Sequence, residues 1–447
     1  MNILIVGAGN IGSHIAEFLS ADGHDISVID HDSARLTEVG DSLDVQTLRG
    51  NATDPAVLEQ AQIEECQLFL AMTNCDEVNL IAAMTAKRLG AARTVARVGR
   101  PWFLHHAEVR YRSALDIDLI ISPGRETAHE IAKHIEQPDA LALEEFARGR
   151  VQMRQIRLEP PNPYIGQVLR DLSLPAGVLI ATVTRDEATI IPKGEDMLRA
   201  SDRIALVGRP EALDQLDLQW HNGAPGIRNV VLFGGGMVGF YLAETLISRR
   251  YDVKIIERER ERCEWLSARL PEATVIHGDA TNLGLLKEER VASADLLAAT
   301  TGEDEDNLMS CLLAKSLGVP KAFMVLRRPD YAQIVERLGI DLALSPRIVT
   351  AQKILALVRR GNIRSVSLLE GGQVEILEFQ ALPDTPVVNR PLREIQFPAG
   401  SLIGAVVHRR QVRVPHGTDV IRSGDVVVAF CLTTARDELE ALFEGTA

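Results

Sequence analysis

The chain has 447 residues, of which 46% are hydrophobic and 25% are charged, and its formal net charge is −14 at pH 7. A single core stops growing at roughly 250 to 300 residues, so this length predicts two to four folded domains. The acidic balance argues against nucleic acid as a partner. No apolar run approaches the roughly 20 residues needed to cross a bilayer, and the sequence enters a strand at Asn2 without a signal-peptide pattern, which predicts a cytoplasmic protein.

Apolar, β-branched segments alternate with helical patterns along the first 137 residues. The predicted elements, in chain order, are the strand NILIVG, a helix over 11–22, the strand DISVID, a helix over 32–39, the strands VQTLRG and LFLAMT, a helix over 77–89, the strands TVARV and LIISP, and an amphipathic helix over 125–135. Continuous β-branched runs between helices are typical of a parallel sheet that is buried on both faces. The pattern therefore predicts a doubly wound, Rossmann-like α/β domain.

The same pattern occurs a second time in the chain. Three glycines, Gly7, Gly9 and Gly12, recur as Gly234, Gly236 and Gly239 at an offset of 227 (234 − 7). RGNATD (49–54) pairs with HGDATN (277–282), LPAGVLIATV (174–183) pairs with FPAGSLIGAV (397–406), and a second amphipathic helix is predicted over 347–360. The chain is therefore predicted to be a tandem of two modules, each a Rossmann-like domain followed by a small, strand-rich α+β domain.

The repeat sets the expected domain boundaries. We expect the first Rossmann-like domain with its crossover helix over 1–137, the first small domain over 138–220, the second Rossmann-like domain with its crossover helix over 227–362, and the second small domain over 363–447. Glycine and proline in QWHNGAPGIRN, residues 219–229, break both the helical and the strand periodicity, which predicts the linker between the modules.

Each Rossmann-like half begins with a GxGxxG turn between an apolar strand and a helix. The first glycine permits the tight turn, the second lets a pyrophosphate approach the backbone, and the third lets the helix pack on the strand. Such a turn also occurs as a plain strand-to-helix connection, but an acid ending the next strand, Asp30 or Glu257, favours a dinucleotide site. This carboxylate can accept hydrogen bonds from ribose hydroxyls and repels a 2′-phosphate, which favours NAD(H), ATP or ADP over NADP.

Polar residues also follow other strands at the edge where ligands of this fold bind. Asn51 and Asp279 follow the third strand of each half, where they either read an adenine edge or cap the next helix. Thr73 and Thr301 end the fourth strand of each half, and we predict that both contact the ligand.

An arginine in the fifth strand of the first half, Arg97, is predicted to be buried and therefore needs a partner. A terminal phosphate of the ligand is one candidate, and a carboxylate such as Asp76 is the other. The second half has Val325 in the aligned position and arginines only at Arg327 and Arg328. If Arg97 contacts the ligand, the two pockets are expected to prefer different ligands.

Together these motifs define the predicted cofactor-binding set. Its members are Gly7, Ala8, Gly9, Asn10, Ile11, Gly12, Asp30, Asn51, Ala52, Thr73 and Arg97 in the first half, and Gly234, Gly236, Met237, Val238, Gly239, Glu257, Asp279, Ala280 and Thr301 in the second.

No catalytic or metal-binding pattern is found in the sequence. The five cysteines form no CxxC pair and have no histidine at zinc-site spacing, which predicts reduced packing residues: Cys66, Cys75, Cys263, Cys311 and Cys431. An oxidoreductase of this fold needs an acid/base residue near the nicotinamide, and the aligned positions of the small domains contain no repeated His, Lys or Cys. A non-enzymatic nucleotide sensor is the preferred hypothesis, and an NAD-dependent oxidoreductase with duplicated dinucleotide-binding halves is the alternative.

Over essentially the full length, the duplicated GxGxxG turns with Asp30 or Glu257, the GNATD and GDATN loops and the PAG motifs resemble the TrkA family of Trk potassium-uptake regulatory subunits, within the regulators of potassium conductance (RCK/KTN). Asn51 stands where that family usually has an aspartate. The resemblance implies a peripheral protein on the cytoplasmic face of the inner membrane, assembled as a tetrameric ring beneath an integral potassium-translocating Trk subunit. It also implies that NAD(H), ATP or ADP binds in the Rossmann-like halves and alters potassium flux.

Overall fold

The computed structural model describes residues 1–21, 23–104, 108–137, 140–186, 188–220, 227–358, 363–369 and 373–444. Most of the predicted linker, the predicted domain limits at 138 and 362, and the last residues of the helices predicted over 11–22 and 347–360 lie outside these ranges. The chain divides into two compact units, Met1–Ile135 with Ile227–Val358, and Glu136–Gly226 with Arg359–Ala447. The two Rossmann-like halves therefore form one unit, and the two small domains form the other.

The first half of the Rossmann-like unit is a six-stranded parallel sheet in the order β3-β2-β1-β4-β5-β6 with helices between the strands. Its elements are β1 (Asn2–Val6), α1 (Asn10–Ala21), β2 (Asp25–Asp30), α2 (Ser33–Ser42), β3 (Gln46–Arg49), α3 (Pro55–Gln60), β4 (Leu68–Ala71), α4 (Asp76–Arg88), β5 (Thr94–Arg97), α5 (Glu108–Ala114), β6 (Leu119–Ile121) and α6 (Pro123–Glu136). The predicted doubly wound fold is confirmed.

One helix boundary differs from the prediction for a physical reason. The helix predicted over 32–39 is α2, Ser33–Ser42, because Asp32 is the N-cap residue and its carboxylate accepts a hydrogen bond from the Ala34 amide at 2.9 Å. An N-cap residue lies outside the helix that it caps. The helix then continues for three residues beyond the predicted end.

The second half of this unit repeats the same topology, with the sheet order β14-β13-β12-β15-β16-β17. Its elements are β12 (Asn229–Phe233), α8 (Met237–Ser248), β13 (Asp252–Glu257), α9 (Arg260–Arg269), β14 (Thr274–His277), α10 (Leu283–Glu288), β15 (Leu296–Ala299), α11 (Asp304–Ser316), β16 (Lys321–Val325), α12 (Ala332–Arg337), β17 (Leu342–Leu344) and α13 (Pro346–Val358). The internal repeat is therefore visible strand by strand.

The last helix of each half packs against the other half. Helix α13 buries Ala351 and Ile354 in the same apolar cluster as Ile15 and Leu19 of α1. At the start of α6, Gly124 lies so close to α8 that a Cβ added there would be 3.1 Å from the Cβ of Met237. Because each half uses a helix from the other to cover its apolar surface, the two halves share their cores.

The second unit contains two five-stranded antiparallel sheets, ordered β10-β9-β11-β8-β7 and β18-β19-β22-β20-β21. Their elements are β7 (Ala142–Phe146), β8 (Val151–Arg157), β9 (Val178–Arg185), β10 (Ala188–Ile190), β11 (Arg203–Gly208), α7 (Pro210–Trp220), β18 (Ile363–Leu369), β19 (Val374–Gln380), β20 (Ser401–His408), β21 (Gln411–Arg413), β22 (Val426–Leu432) and α14 (Arg436–Phe443). Val207 and Phe430, from different sheets, lie in one apolar cluster.

The aligned aspartates of the small domains, Asp202 and Asp425, have the same structural role. Each is about 1% exposed, and its carboxylate accepts a hydrogen bond from the backbone amide three residues earlier, at 2.7 Å for Asp202 and 2.9 Å for Asp425. The partner on the neighbouring strand differs, being Arg185 for Asp202 and His408 for Asp425. Each aspartate therefore stabilises the turn that precedes it.

Four of the five cysteines are buried, and Cys75 is exposed. Burial raises the pKa of the Cys66 thiol to about 11 and that of the Cys311 and Cys431 thiols to about 12. In the ranges that the structure describes, no His, Cys, Asp and Glu side chains come together as a metal site, and no helix has both the length and the apolar character needed to cross a membrane.

Candidate functional site

The first candidate site lies where β1 ends and α1 begins. Gly7 has a φ of +102°, and a Cβ there would be 3.0 Å from the Thr73 amide nitrogen, so both backbone conformation and space require glycine. A Cβ on Gly12 would overlap the carbonyl oxygen of Gly7, because α1 passes directly over the turn. The first and third glycines are therefore required by the fold itself.

In both halves the middle glycine of the turn differs from the first and third glycines in its surroundings. Neither Gly9 nor Gly236 has a positive φ, and a Cβ on either would meet no protein atom closer than 3.8 Å. Gly236 is exposed, and its φ is −59°. The protein's own packing therefore gives no reason for glycine here, whereas a pyrophosphate approaching the backbone would.

The acid that ends the second strand holds the glycine turn in each half. Oδ2 of the buried Asp30 accepts a hydrogen bond from the Ala8 amide at 2.6 Å, and Oδ1 accepts one from the Asp32 amide at 2.9 Å. Glu257 does the same in the second half, where its carboxylate accepts from the Gly235 amide at 2.6 Å and from the Glu259 amide at 2.8 Å. Each carboxylate is thus fixed beside the turn, and a carboxylate has further lone pairs that could accept from ribose hydroxyls.

The size of the residue after the first glycine varies with the size of a residue on the helix that follows the second strand. Ala8 and Val39 are buried in the same apolar cluster of the first half, and the equivalent residues of the second half are Gly235 and Leu266. A Cβ on Gly235 would overlap Leu266 Cδ1, so a larger helix residue is accompanied by a smaller turn residue. The extra glycine of GGGMVG therefore serves packing.

An arginine of α9 lies across the second turn. Arg262 donates from Nε to the Gly235 carbonyl at 2.6 Å, and its guanidinium stacks 4.0 Å from the centroid of the Trp265 ring. Burial lowers the pKa of Arg262, which the Glu257 carboxylate partly opposes. The aligned Arg35 of α2 instead lies 3.6 Å from Asp32. Sequence reasoning missed this pair, although both arginines occur at the repeat offset.

Asn51 and Asp279 occupy equivalent loops at the same sheet edge. The Oδ1 atom of each accepts hydrogen bonds from the amide and hydroxyl of a threonine two residues later, Thr53 or Thr281. These bonds, from Thr281, lower the pKa of Asp279. The capping alternative is wrong, because the N-caps of α3 and α10 are Asp54 and Asn282. A polar contact with an adenine edge remains a prediction.

A buried asparagine orients the threonine that ends the fourth strand. Asn79 Oδ1 accepts from the Thr73 amide at 2.9 Å and from its hydroxyl at 2.7 Å, while Nδ2 donates to the Arg97 carbonyl at 2.9 Å. Asn307 makes the same contacts with Thr301 and with the β16 carbonyl of Val325. Both asparagines are fully buried. In the sequence, this positioning role is indicated by the presence of an asparagine at equivalent positions of the two repeats.

Arg97 lies beside the same loop. Its Nη1 donates to Asn74 Oδ1 at 2.9 Å and to the Thr73 carbonyl at 3.3 Å. Burial lowers its pKa, and the Asp76 charge opposes this. Asp76 makes no hydrogen bond with Arg97, because its carboxylate accepts instead from the amides of Gly99 and Arg100, so it acts on the guanidinium through its charge alone. Among the described residues the Arg97 guanidinium donates hydrogen bonds only to neutral acceptors, and its contact with a terminal phosphate of the ligand stays a prediction.

The second half supplies an arginine to the equivalent loop from a different position. Nη1 of Arg327, which follows β16, donates to the Gly302 carbonyl at 2.9 Å. Gly302 aligns with Asn74, and Arg327 aligns with Gly99. The amides of Gly99 and Arg327 both donate to the aspartate that begins the preceding helix, Asp76 of α4 or Asp304 of α11. Both loops therefore carry a guanidinium, from Arg97 in the first half and from Arg327 in the second, and the expectation that the two pockets prefer different ligands stays a prediction.

The structure thus brings most of the predicted set together along the carboxyl edge of each sheet. In the first half, hydrogen bonds join the Ala8 amide of the glycine turn to Asp30, and Arg97 to the Thr73 carbonyl. Ala8, Ile11 and Ala52 are buried, Asn10 is exposed, and Met237, Val238 and Ala280 are half-buried. The side chain of Asn51 contacts only its own loop among the described residues.

Comparison with known proteins agrees with this architecture. The TrkA-N domain family matches residues 3–123 and 230–346, and the TrkA-C domain family matches residues 153–218 and 376–444. The Trk system potassium uptake protein TrkA homolog 2 of Methanosarcina mazei is 36% identical, covering 99% of this chain and 100% of that protein. The Trk system potassium uptake protein TrkA of Halomonas elongata is also 36% identical, covering 99% of both chains.

A solved structure shows the same fold at lower identity. The GsuK channel bound to NAD superposes with a TM-score of 0.64 at 17% identity, covering 99% of this chain and 78% of that one. The resemblance inferred from the duplicated motifs is confirmed by the two matched domain families and by the full-length relatives. The chain belongs to the TrkA family of Trk system potassium uptake proteins.

Proposed function

We propose that this chain is a non-enzymatic regulatory subunit that binds NAD(H), ATP or ADP in its Rossmann-like halves and thereby gates an integral Trk-type potassium-uptake protein. Support comes from the relatives, which are named as Trk system potassium uptake proteins, and from the NAD-bound GsuK channel of the same fold. The chain acts on the cytoplasmic face of the membrane. It controls flux without consuming its ligand.

The observation that carries this proposal is the middle glycine. Gly9 and Gly236 are free of backbone strain and of close protein neighbours, unlike the glycines on either side of them. A ligand backbone contact is the remaining physical reason for glycine at both places. Fixed carboxylates and guanidinium groups flank each turn, which suits a ligand that combines ribose hydroxyls with phosphates.

We therefore expect Gly9→Ala and Gly236→Ala to fold normally and to lose nucleotide binding, each at its own turn. The added methyl group would occupy the space of the pyrophosphate, so affinity should fall about tenfold or more. Calorimetric titration of NADH, NAD, ATP and ADP into the full chain measures this loss, and thermal unfolding checks the fold.

Gly40→Ala is the matched control, because Gly40 is exposed in α2 and makes only ordinary contact with Thr47. It should bind as wild type does. Wild-type protein that binds none of the four nucleotides, or a Gly9→Ala/Gly236→Ala double variant that binds them normally, contradicts the proposal. In vesicles containing the transporter, the double variant should also abolish the nucleotide response of potassium flux, and no variant should change NADH absorbance.

Gating of a membrane protein also needs an assembly, and we propose the tetrameric ring. Helices α4 and α11 present apolar side chains to solvent at equivalent positions, with Ile81 46% and Met309 51% exposed. Ile334 of α12 is 56% exposed. We propose that these exposed apolar side chains take part in the contacts between subunits.

Light scattering of the purified chain is expected to give the mass of four chains. A mass of one chain across the accessible concentration range contradicts the ring.

A further inference from the structure

A cavity of about 470 Å³ lies at the opposite edge of the first sheet from the glycine turn. It is formed by the amino ends of β1, β2 and β3 and by the segment between α3 and β4. The volume is within the range of small-molecule sites, which run from roughly 300 to 1,000 Å³. Nothing in the proposed nucleotide function uses this edge.

The lining of the cavity is acidic. Asp25, Asp44 and Glu65 line it together with His24, and no lysine or arginine is among the described residues that do. Their carboxylates make no side-chain hydrogen bond or ion pair with the described part of the chain. Uncompensated carboxylates around a cavity favour a cationic ligand.

The second half shows what fits at the equivalent place. Lys254 is the third residue of β13, as Ser27 is the third residue of β2, and both strands pair with their neighbours in the same register. Lys254 Nζ donates to the Glu289 carbonyl oxygen at 2.6 Å and lies 3.2 Å from Glu289 Oε2. A lysine ammonium group is therefore bound at this point of the fold.

The residues that hold Lys254 have smaller counterparts in the first half. Glu289 follows α10 and precedes Arg290, which has a φ of 52°, and Ala61 follows α3 and precedes Gln62, which has a φ of 56°. Ala61, Gln62 and Ser27 all line the cavity. Replacement of lysine by serine and of glutamate by alanine leaves the space that these two side chains occupy in the second half.

We propose that this cavity is a binding site for a small aliphatic amine, whose primary ammonium group takes the place of the Lys254 ammonium. The nitrogen lies against the Ala61 carbonyl, and the carboxylates of Asp25, Asp44 and Glu65 balance its charge. An ammonium group has three donors, which a backbone carbonyl and carboxylates satisfy. The site is separate from both glycine turns.

Titration of 1,4-diaminobutane into the full chain tests this site. We expect saturable binding to wild type, no binding to Ser27→Lys, which supplies its own ammonium group, and about tenfold weaker binding to Glu65→Gln, which loses one charge at an exposed position. Thr274→Lys adds the same charge to an exposed position of the second half and should bind as wild type does.

Butane-1,4-diol has the same chain without the charge and should not bind. The assignment is overturned by absence of diamine binding to wild type, by equal binding of the diol, by unchanged binding to Glu65→Gln, or by potassium or magnesium ions displacing the diamine at equal concentration. Because Glu65→Gln alters only an exposed side chain, the test holds even where Ser27→Lys fails to fold.

Discussion

Asp30→Ala is expected to weaken nucleotide binding at the first turn about 100-fold. The substitution removes the acceptor for the amides of Ala8 and Asp32, which shape the turn, and also removes the proposed acceptor of ribose hydroxyls. Hydrogen bonds to charged groups contribute roughly 1.5 to 3 kcal/mol each, and 1.4 kcal/mol corresponds to about tenfold. Glu257→Ala should have the same effect at the second turn. Calorimetry with ATP and NADH measures both.

Variants in which each half carries the acid of the other half provide the control. Asp30→Glu and Glu257→Asp keep a carboxylate that the other half uses in the same role, so they should retain most of the affinity. Comparison of ATP with 2′-deoxy-ATP separates the two contributions of Asp30. Wild type should prefer ATP at both turns, and Asp30→Ala should not distinguish the two ligands at the first turn. If neither alanine variant weakens binding of any nucleotide, the assignment of the ribose acids is wrong.

Gly12→Ala is expected to be the most destabilising of the small substitutions in the first half. The new Cβ would overlap the Gly7 carbonyl oxygen, a backbone atom that cannot move without displacing the turn or α1. Overpacking of this kind costs about 3 kcal/mol, which lowers the midpoint of thermal unfolding by several degrees. Gly239→Ala should behave alike, since its Cβ would overlap the Gly234 carbonyl oxygen.

Calorimetric unfolding of the full chain would record this loss. Gly40→Ala is again the matched comparison, and in this case it should be neutral or stabilising by up to about 1 kcal/mol, because it replaces glycine inside an exposed helix. Gly12→Ala with a wild-type unfolding midpoint would show that the helix can move away from the strand. The third glycine would then have no packing role.

The sequence was sufficient for the fold because the relevant signals are local. β-branched runs between helices and an internal repeat specify two doubly wound sheets without knowledge of any distant contact. The packing of α6 and α13, each against the half to which it does not belong, could not be predicted from local signals. An amphipathic sequence indicates that one face of a helix is buried, but not which surface covers that face. Helix α13 on α1 is such a case.

The site was predicted where backbone requirements dominate and missed where side-chain reach decides. Gly7 and Asp30 lie at the predicted turn and strand end because their positions follow from the backbone. Arg327 was not assigned to the site because the position aligned with Arg97 in the second half is Val325. The long side chain of Arg327, two residues after Val325, nevertheless reaches the loop that is equivalent to the one Arg97 contacts. The cavity beside Ser27 likewise follows from the fold, because the equivalent place in the second half is filled by the side chain of Lys254.

The exchanged helices have a thermodynamic consequence. Helix α1 starts at the first glycine turn and rests on α13, while α8 starts at the second turn and touches Gly124 of α6. A nucleotide that displaces α1 must therefore work against a helix contributed by the other half. Affinities at the two turns would then be linked, and by reciprocity each ligand would change the dissociation constant of the other by the same factor. One polypeptide could in this way report a ratio of two metabolites, instead of the concentration of either alone.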